Sequence, residues 1–152
     1  MKKCKIITID GPAGSGKSSV AKRVARELGF VYLDSGAIYR AVTLFLLQRS
    51  VSPNDVSKIE ECLKDLDLKV KDQQIYVNGE NVTKAIRTPR VDEMVSLYSA
   101  LPVVRKSLLS LQRELYDYQD LIAEGRDMGT VIFPDADLKI FLKADAKTRA
   151  IR

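Results

Sequence analysis

Histidine is absent from the 152 residues, which removes His-based nucleophilic triads and His-ligated zinc, the commonest hydrolase and metalloenzyme devices. Cysteine is scarce: Cys4 and Cys62 stand far apart without metal-ligand spacing and read as free thiols of a reducing cytoplasm. No apolar run approaches the length of a transmembrane helix. Lys5 interrupts the only apolar stretch near the N terminus, so neither a membrane span nor a secretory signal is expected. Internal repeats and low-complexity segments are also missing. No N-K-x-D motif occurs, which argues against a guanine-reading GTPase switch. The net charge of +5 is dispersed rather than gathered in one run. It therefore suits a small polyphosphate ligand or a solvated surface as well as nucleic acid, and no nucleic-acid partner is expected. What remains, 45% hydrophobic and 30% charged residues, is the composition of one globular domain with a real core.

The most informative segment is Gly11-Pro12-Ala13-Gly14-Ser15-Gly16-Lys17-Ser18, the phosphate-loop pattern G-x-x-x-x-G-K-S, followed by Ser19. Lys5–Asp10 before it reads as a buried strand. Ser19–Leu28 after it reads as a helix with Val20, Val24 and Leu28 at spacings of four. Strand, glycine loop and helix form the context in which the pattern acts. The glycines let backbone N–H groups turn toward phosphate oxygens, and the helix start adds partial positive charge. Lys17 would neutralise the β and γ phosphates, and the Ser18 hydroxyl would ligate Mg²⁺. Four specified positions match by accident in roughly one chain of this length in two hundred. The pattern predicts nucleoside triphosphate binding.

Phe30–Leu33 reads as a second strand. Asp34-Ser35-Gly36 then opens a helix with Ile38, Ala41, Val42, Phe45 and Leu46 on one face and Arg40 projecting from the other. Ser52-Pro53-Asn54-Asp55 is a turn and cap before a helix around Val56–Leu63. Between Leu66 and Val82 the pattern alternates, and Asn78-Gly79 signals a hairpin, so a small antiparallel meander interrupts the α/β chain. Helices are expected at Val91–Ala100 and Pro102–Tyr118, the second buried along Val104, Leu108, Leu111 and Leu115 with Arg105 flanking that seam. Leu121–Ala123 and Asp137–Leu142 read as third and fourth core strands, and Lys147–Arg152 begins another helix. The alternation argues for a parallel sheet, whose ligands sit at the carboxyl ends of strands. Gly11–Ser18, Asp34–Arg40 and Glu124–Gly129 all fall at such ends.

Phosphoryl transfer needs alignment of donor and acceptor and positive charge around the migrating group, and rarely a protein nucleophile. A kinase should therefore carry a second basic set for its acceptor. Arg40, Arg105 and Arg126 are the candidates, each following or flanking a strand-end motif. Here the residues reach a family resemblance. Asp34-Ser35-Gly36-Ala37-Ile38-Tyr39-Arg40 and the run from Glu124 through Arg126-Asp127-Met128-Gly129 to Pro134 resemble the signature segments of bacterial cytidylate kinases. Asn78–Thr83 with Ile86-Arg87 resembles that family's insert in the monophosphate-binding region.

The resemblance implies a three-layer P-loop kinase fold: one α/β domain over 1–152, with a core at about 1–50 and 101–152 and a monophosphate-binding insert at about 51–100. It implies transfer of the ATP γ-phosphoryl group to CMP or dCMP by a cytoplasmic monomer using Mg²⁺. Lys17, Arg40 and Arg126 would be catalytic. Ser35, Arg40 and Arg126 would hold the CMP phosphate, while Ser96, Arg105 and Asp127 would read the base. Cytosine pairs an amino donor with ring acceptors, so an aspartate accepts from the amine while an arginine and a hydroxyl donate to the acceptors. By analogy with acids at that place in nucleoside monophosphate kinases, Glu124 joins Ser18 at the metal, with Asp10 and Asp34 as competitors. The resemblance also implies that the lid begins near Arg149 and Arg152, with lid arginines and a last strand beyond them. This form is accordingly expected to bind phosphate and to transfer it poorly. The rivals are another small-molecule kinase, of UMP/CMP or dephospho-coenzyme A type, and a non-catalytic nucleotide-binding module.

Overall fold

A computed structural model describes residues 3–116 and 118–151. In chain order it contains β1 (Ile6–Asp10), α1 (Lys17–Leu28), β2 (Val31–Asp34), α2 (Ser35–Gln48), α3 (Val56–Leu63), β3 (Leu68–Lys71), β4 (Gln74–Val77) and β5 (Glu80–Asn81). There follow α4 (Pro89–Ser99), α5 (Pro102–Glu114), β6 (Leu121–Gly125), β7 (Leu138–Phe141) and α6 (Ala146–Ile151). The chain divides into two compact units, Met1–Ser35 with Tyr116–Arg152, and Gly36–Leu115.

The first unit is built on a four-stranded sheet in the order β2-β6-β1-β7, parallel at every pairing. Burial on both faces explains the unbroken apolar runs of β1 and β6. Two carboxylates set the strand entries: the Lys5 N–H donates to Asp120 Oδ1 at 2.7 Å and the Ile6 N–H to Asp137 Oδ2 at 2.8 Å. That second bond, aided by Lys3, holds the Asp137 carboxyl below its usual range. Val20, Val24 and Leu28 recur at spacings of four on α1, but its buried stripe is Ala21 and Ala25. Val20 and Leu28 are exposed and Val24 is half-buried. Small side chains let the helix backbone approach Ile9 and Ile122 closely, so size rather than hydrophobicity selects the inward face. Strand β7 pairs with β1 at the edge of the four-stranded sheet, and among the described residues its Leu138, Ile140 and Phe141 are exposed.

In the second unit α2 buries Ile38, Ala41, Val42, Phe45 and Leu46, as the periodicity requires. Asp55 caps α3 by accepting the Lys58 N–H at 3.1 Å. The meander is a three-stranded antiparallel sheet, β3-β4-β5. Asn78 and Gly79 turn one hairpin with φ of 49° and 83°; Asp72 and Gln73 turn the other with φ of 52° and 62°. Both pairs suit the tight turn that matches strand twist. Helix α5 stops at Glu114, short of the expected Tyr118, whose φ of 69° is incompatible with a continuing helix. Its seam also differs: Gln112 is buried with Val104 and Leu108, while Leu111 and Leu115 are half-buried. The family-type α/β fold is thus present as a parallel sheet and a separate small antiparallel one. Among the described residues no helix is long and apolar enough to cross a membrane.

Candidate nucleotide-binding site

Three motif-bearing strands lie side by side: β2, β6 and β1 are neighbours, and each delivers its motif at its carboxyl end. After β1, the loop turns through Gly14 and Gly16, with φ of 74° and 87°, and Lys17 is the first residue of α1. Left-handed residues next to right-handed ones point successive N–H groups into one concavity, the geometry of an anion nest. The Gly11 N–H donates to the Gly125 carbonyl at 3.3 Å, tying the loop to the end of β6. Ser15 is buried, and its Oγ finds no hydrogen-bond partner among the described residues. A cavity of about 470 Å³ opens beside the loop, lined by Gly11, Pro12, Arg126, Phe141, Lys143 and Arg149. The first unit thus places the phosphate loop and Arg126 on one cavity with two further cationic side chains.

A cluster of side-chain oxygens joins α1, β2 and β6. Glu124 is 2% exposed at the end of β6, and its Oε1 accepts the Ser18 hydroxyl at 2.7 Å and the Tyr32 hydroxyl at 2.5 Å. Burial, the nearby Asp34 carboxylate and the bond to Glu124 raise the Tyr32 phenol far above its ordinary value, so it stays a donor. A serine hydroxyl and one carboxylate are hard oxygen donors that fit Mg²⁺ completed by waters and phosphate oxygens. Asp10 is engaged elsewhere. Its two oxygens accept the Met128 and Gly129 N–H groups at 2.9 and 2.8 Å, fastening the turn that follows Arg126 and Asp127. That turn, Met128–Ile132, is a wide helical one closed by Ile132 N–H to the Asp127 carbonyl and Phe133 N–H to the Met128 carbonyl. Gly125 has no room for a side chain: a Cβ there would overlap Ser35 Oγ and approach Met128 Cγ to 2.9 Å. Ser35, itself buried, therefore sits directly against the end of β6.

Arg40, Arg105 and Ser96 belong to the second unit. Arg40 on α2 is half-buried, pairs with Asp92 and donates to the Ile86 carbonyl at 3.3 Å, so it is not a freely solvated arginine. Arg105 on α5 donates to the Ser99 carbonyl at 3.2 Å, with its guanidinium 5.5 Å from the Tyr39 ring centre. Ser96 is exposed on α4. Arg152 lies outside the described residues. Arg149, in contrast, donates from Nε to the Ala13 carbonyl at 3.0 Å, which places α6 against the phosphate loop.

A family model for cytidylate kinase matches residues 7–152. The chain belongs to the cytidylate kinase family. It is 49% identical over 150 residues to the cytidylate kinase of Carboxydothermus hydrogenoformans, covering 96% of this chain and 68% of that protein. The cytidylate kinase of Fusobacterium nucleatum is 44% identical over 147 residues, 97% of this chain and 67% of its own length. A bifunctional pantoate ligase/cytidylate kinase of Prochlorococcus marinus is 48% identical over 157 residues, covering all of this chain but 30% of that protein. The chain thus spans about two thirds of the single-function relatives and under a third of the bifunctional one.

Membership in the cytidylate kinase family gives the loop glycines a test. A Cβ on Gly14 would lie 2.8 Å from the Arg149 carbonyl oxygen, and the left-handed backbone there costs an alanine about 1–2 kcal/mol. If the loop holds the phosphates of ATP, Gly14→Ala is expected to weaken that binding roughly tenfold by re-aiming the loop amides, an effect calorimetric titration would read. Affinity equal to the parent's would mean that the loop tolerates a side chain here. Sequence reasoning missed Tyr32 and the anchoring task of Asp10. The hydroxyl of Tyr32 meets Glu124 across 92 positions, and no local spacing encodes that contact.

Proposed function

We propose that this protein transfers the γ-phosphoryl group of ATP to CMP or dCMP, releasing ADP and the corresponding diphosphate. The observation that carries the reading is the cavity shared by the phosphate loop and Arg126, which joins a triphosphate cradle to an acceptor-side cation. Lys17 and the loop amides hold the donor phosphates; Ser35, Arg40 and Arg126 bind the acceptor phosphate. Ser96, Arg105 and Asp127 read the cytosine, with Asp127 accepting from its amino group. Ser18 and Glu124 would hold Mg²⁺, which supplies charge neutralisation on the donor phosphates. No residue is required as a strong base, since the acceptor is an anionic phosphate oxygen. The two units serve one kinase domain, working as a monomer in the cytoplasm. The free thiols of Cys4 and Cys62 are in keeping with that reducing compartment.

The test is ADP release from ATP and Mg²⁺ with CMP, dCMP, UMP, AMP and GMP in parallel. CMP and dCMP are expected to be accepted, UMP to be poor, and the discrimination to collapse in Asp127→Ala. Loss of one well-placed hydrogen bond to the base corresponds to about tenfold or more in kcat/KM. ATP binding without phosphorylation of any of the five, both by this chain and by one extended through the lid, would overturn the proposal in favour of a nucleotide-binding module.

A further inference from the structure

The hydroxyl of Tyr32 has a task that the kinase reading does not assign. Tyr32 on β2 pairs in register with Ile122 on β6, and its ring packs against the cluster of Ile9, Ala21, Ala25 and Ile122. The body of the side chain is thus fixed by the core, and its polar tip reaches Glu124 Oε1 at 2.5 Å. Ser18 Oγ donates to that same oxygen at 2.7 Å. Two donors converge on Oε1. With its proton committed to Glu124, the Ser18 hydroxyl keeps its lone pairs for a cation, and Oε2 keeps its own for a metal-bound water.

We propose that Tyr32 is a positioning residue for the divalent cation, acting through Glu124 to set the orientation of the Ser18 hydroxyl; this rests on the metal site proposed above. A carboxylate on a strand end has two free torsions before its head group. With Ser18 as sole donor it would follow the serine wherever the loop moved. The bond from Tyr32, whose ring cannot shift without disturbing the core, fixes Oε1 independently of the loop. Outer partners of this kind orient the groups that hold a metal, and their removal typically costs metal affinity tenfold or more.

The experiment measures Mn²⁺ binding to the protein–ATP complex by electron paramagnetic resonance, beside calorimetric binding of ATP without metal. Tyr32→Phe keeps the ring and removes only the donor. It is expected to weaken Mn²⁺ binding about tenfold, a loss of the size a charge-assisted hydrogen bond supports, with metal-free ATP affinity unchanged. In a Glu124→Gln background the same substitution is expected to add little, because the two act as one unit. Parent-like Mn²⁺ binding by Tyr32→Phe, alongside losses in Ser18→Ala and Glu124→Gln, would overturn the role of Tyr32 and leave the metal site standing. Equal losses of Mn²⁺ and metal-free ATP binding would overturn it too, in favour of a packing role. If Ser18→Ala and Glu124→Gln also bind Mn²⁺ like the parent, the metal site itself falls, and the proposal with it.

Discussion

Asp10→Ala is expected to lower stability by about 3–5 kcal/mol, because it strands two buried backbone donors at once. Asp10 is buried at the end of β1, and each of its oxygens accepts one N–H, from Met128 at 2.9 Å and Gly129 at 2.8 Å. Hydrogen bonds to a charged group are worth about 1.5–3 kcal/mol each, and the alanine methyl offers neither N–H an acceptor. For a chain of this length the loss corresponds to a fall in Tm of about 10 °C or more. Asp10→Asn keeps the shape but replaces one acceptor by an amine that faces an N–H, so it should recover less than half of the difference. Scanning calorimetry of the two variants decides the matter. A Tm for Asp10→Ala within about 2 °C of the parent would show that the turn after Asp127 stands without its anchor.

Lys17→Ala carries the largest expected effect on the proposed transfer, a fall in turnover of about two to three orders of magnitude. Lys17 opens α1 directly after the left-handed Gly16, the place the phosphate-loop pattern gives to the lysine that reaches the β and γ phosphates. In that position the charge acts where negative charge accumulates in the transition state, and removing one such preorganised donor typically costs this much. The loop amides remain, so the KM for ATP should rise far less, by about tenfold at most. Lys17→Arg would not restore the rate, since a planar fork cannot occupy the place of a compact ammonium in so tight a turn. Initial rates of ADP release with saturating ATP and CMP would check this. Turnover within about tenfold of the parent would mean that Lys17 binds ground state and transition state alike.

What could be read from the sequence follows from how strictly each feature constrains residue identity. The phosphate loop was legible because its pattern specifies Gly11, Gly16, Lys17 and Ser18: Gly16 adopts a positive φ, and a Cβ on Gly11 would overlap the Leu142 carbonyl oxygen. The Asn78-Gly79 hairpin was legible for the same reason. The companion turn at Asp72-Gln73 was not, because Gln73 takes a left-handed conformation without the residue type that signals it. Hydrophobicity misled on α1, where the sheet selects alanines for closeness, and on α5, where Gln112 is buried with its Nε2 donating to the Leu108 carbonyl at 3.2 Å. Glu124 was placed correctly at a strand end. Its bonds to Ser18 and Tyr32 depend on β2 lying next to β6, a topological fact that no local window contains.

The sheet of the first unit is assembled from segments far apart in sequence: β1 pairs with β6, and the Lys5 N–H meets a carboxylate 115 positions away. Such pairings impose a large loop-closure cost before they return any contact, whereas the hairpins of the meander join residues only a few positions apart. On a ribosome the Gly36–Leu115 segment is complete while β6 is still to be made, so it has the earlier opportunity to fold. The Gly11 amide, for its part, must wait for the carbonyl of Gly125. The phosphate loop is therefore synthesised before the Gly36–Leu115 segment, yet it can take its final shape only once β6 has been made.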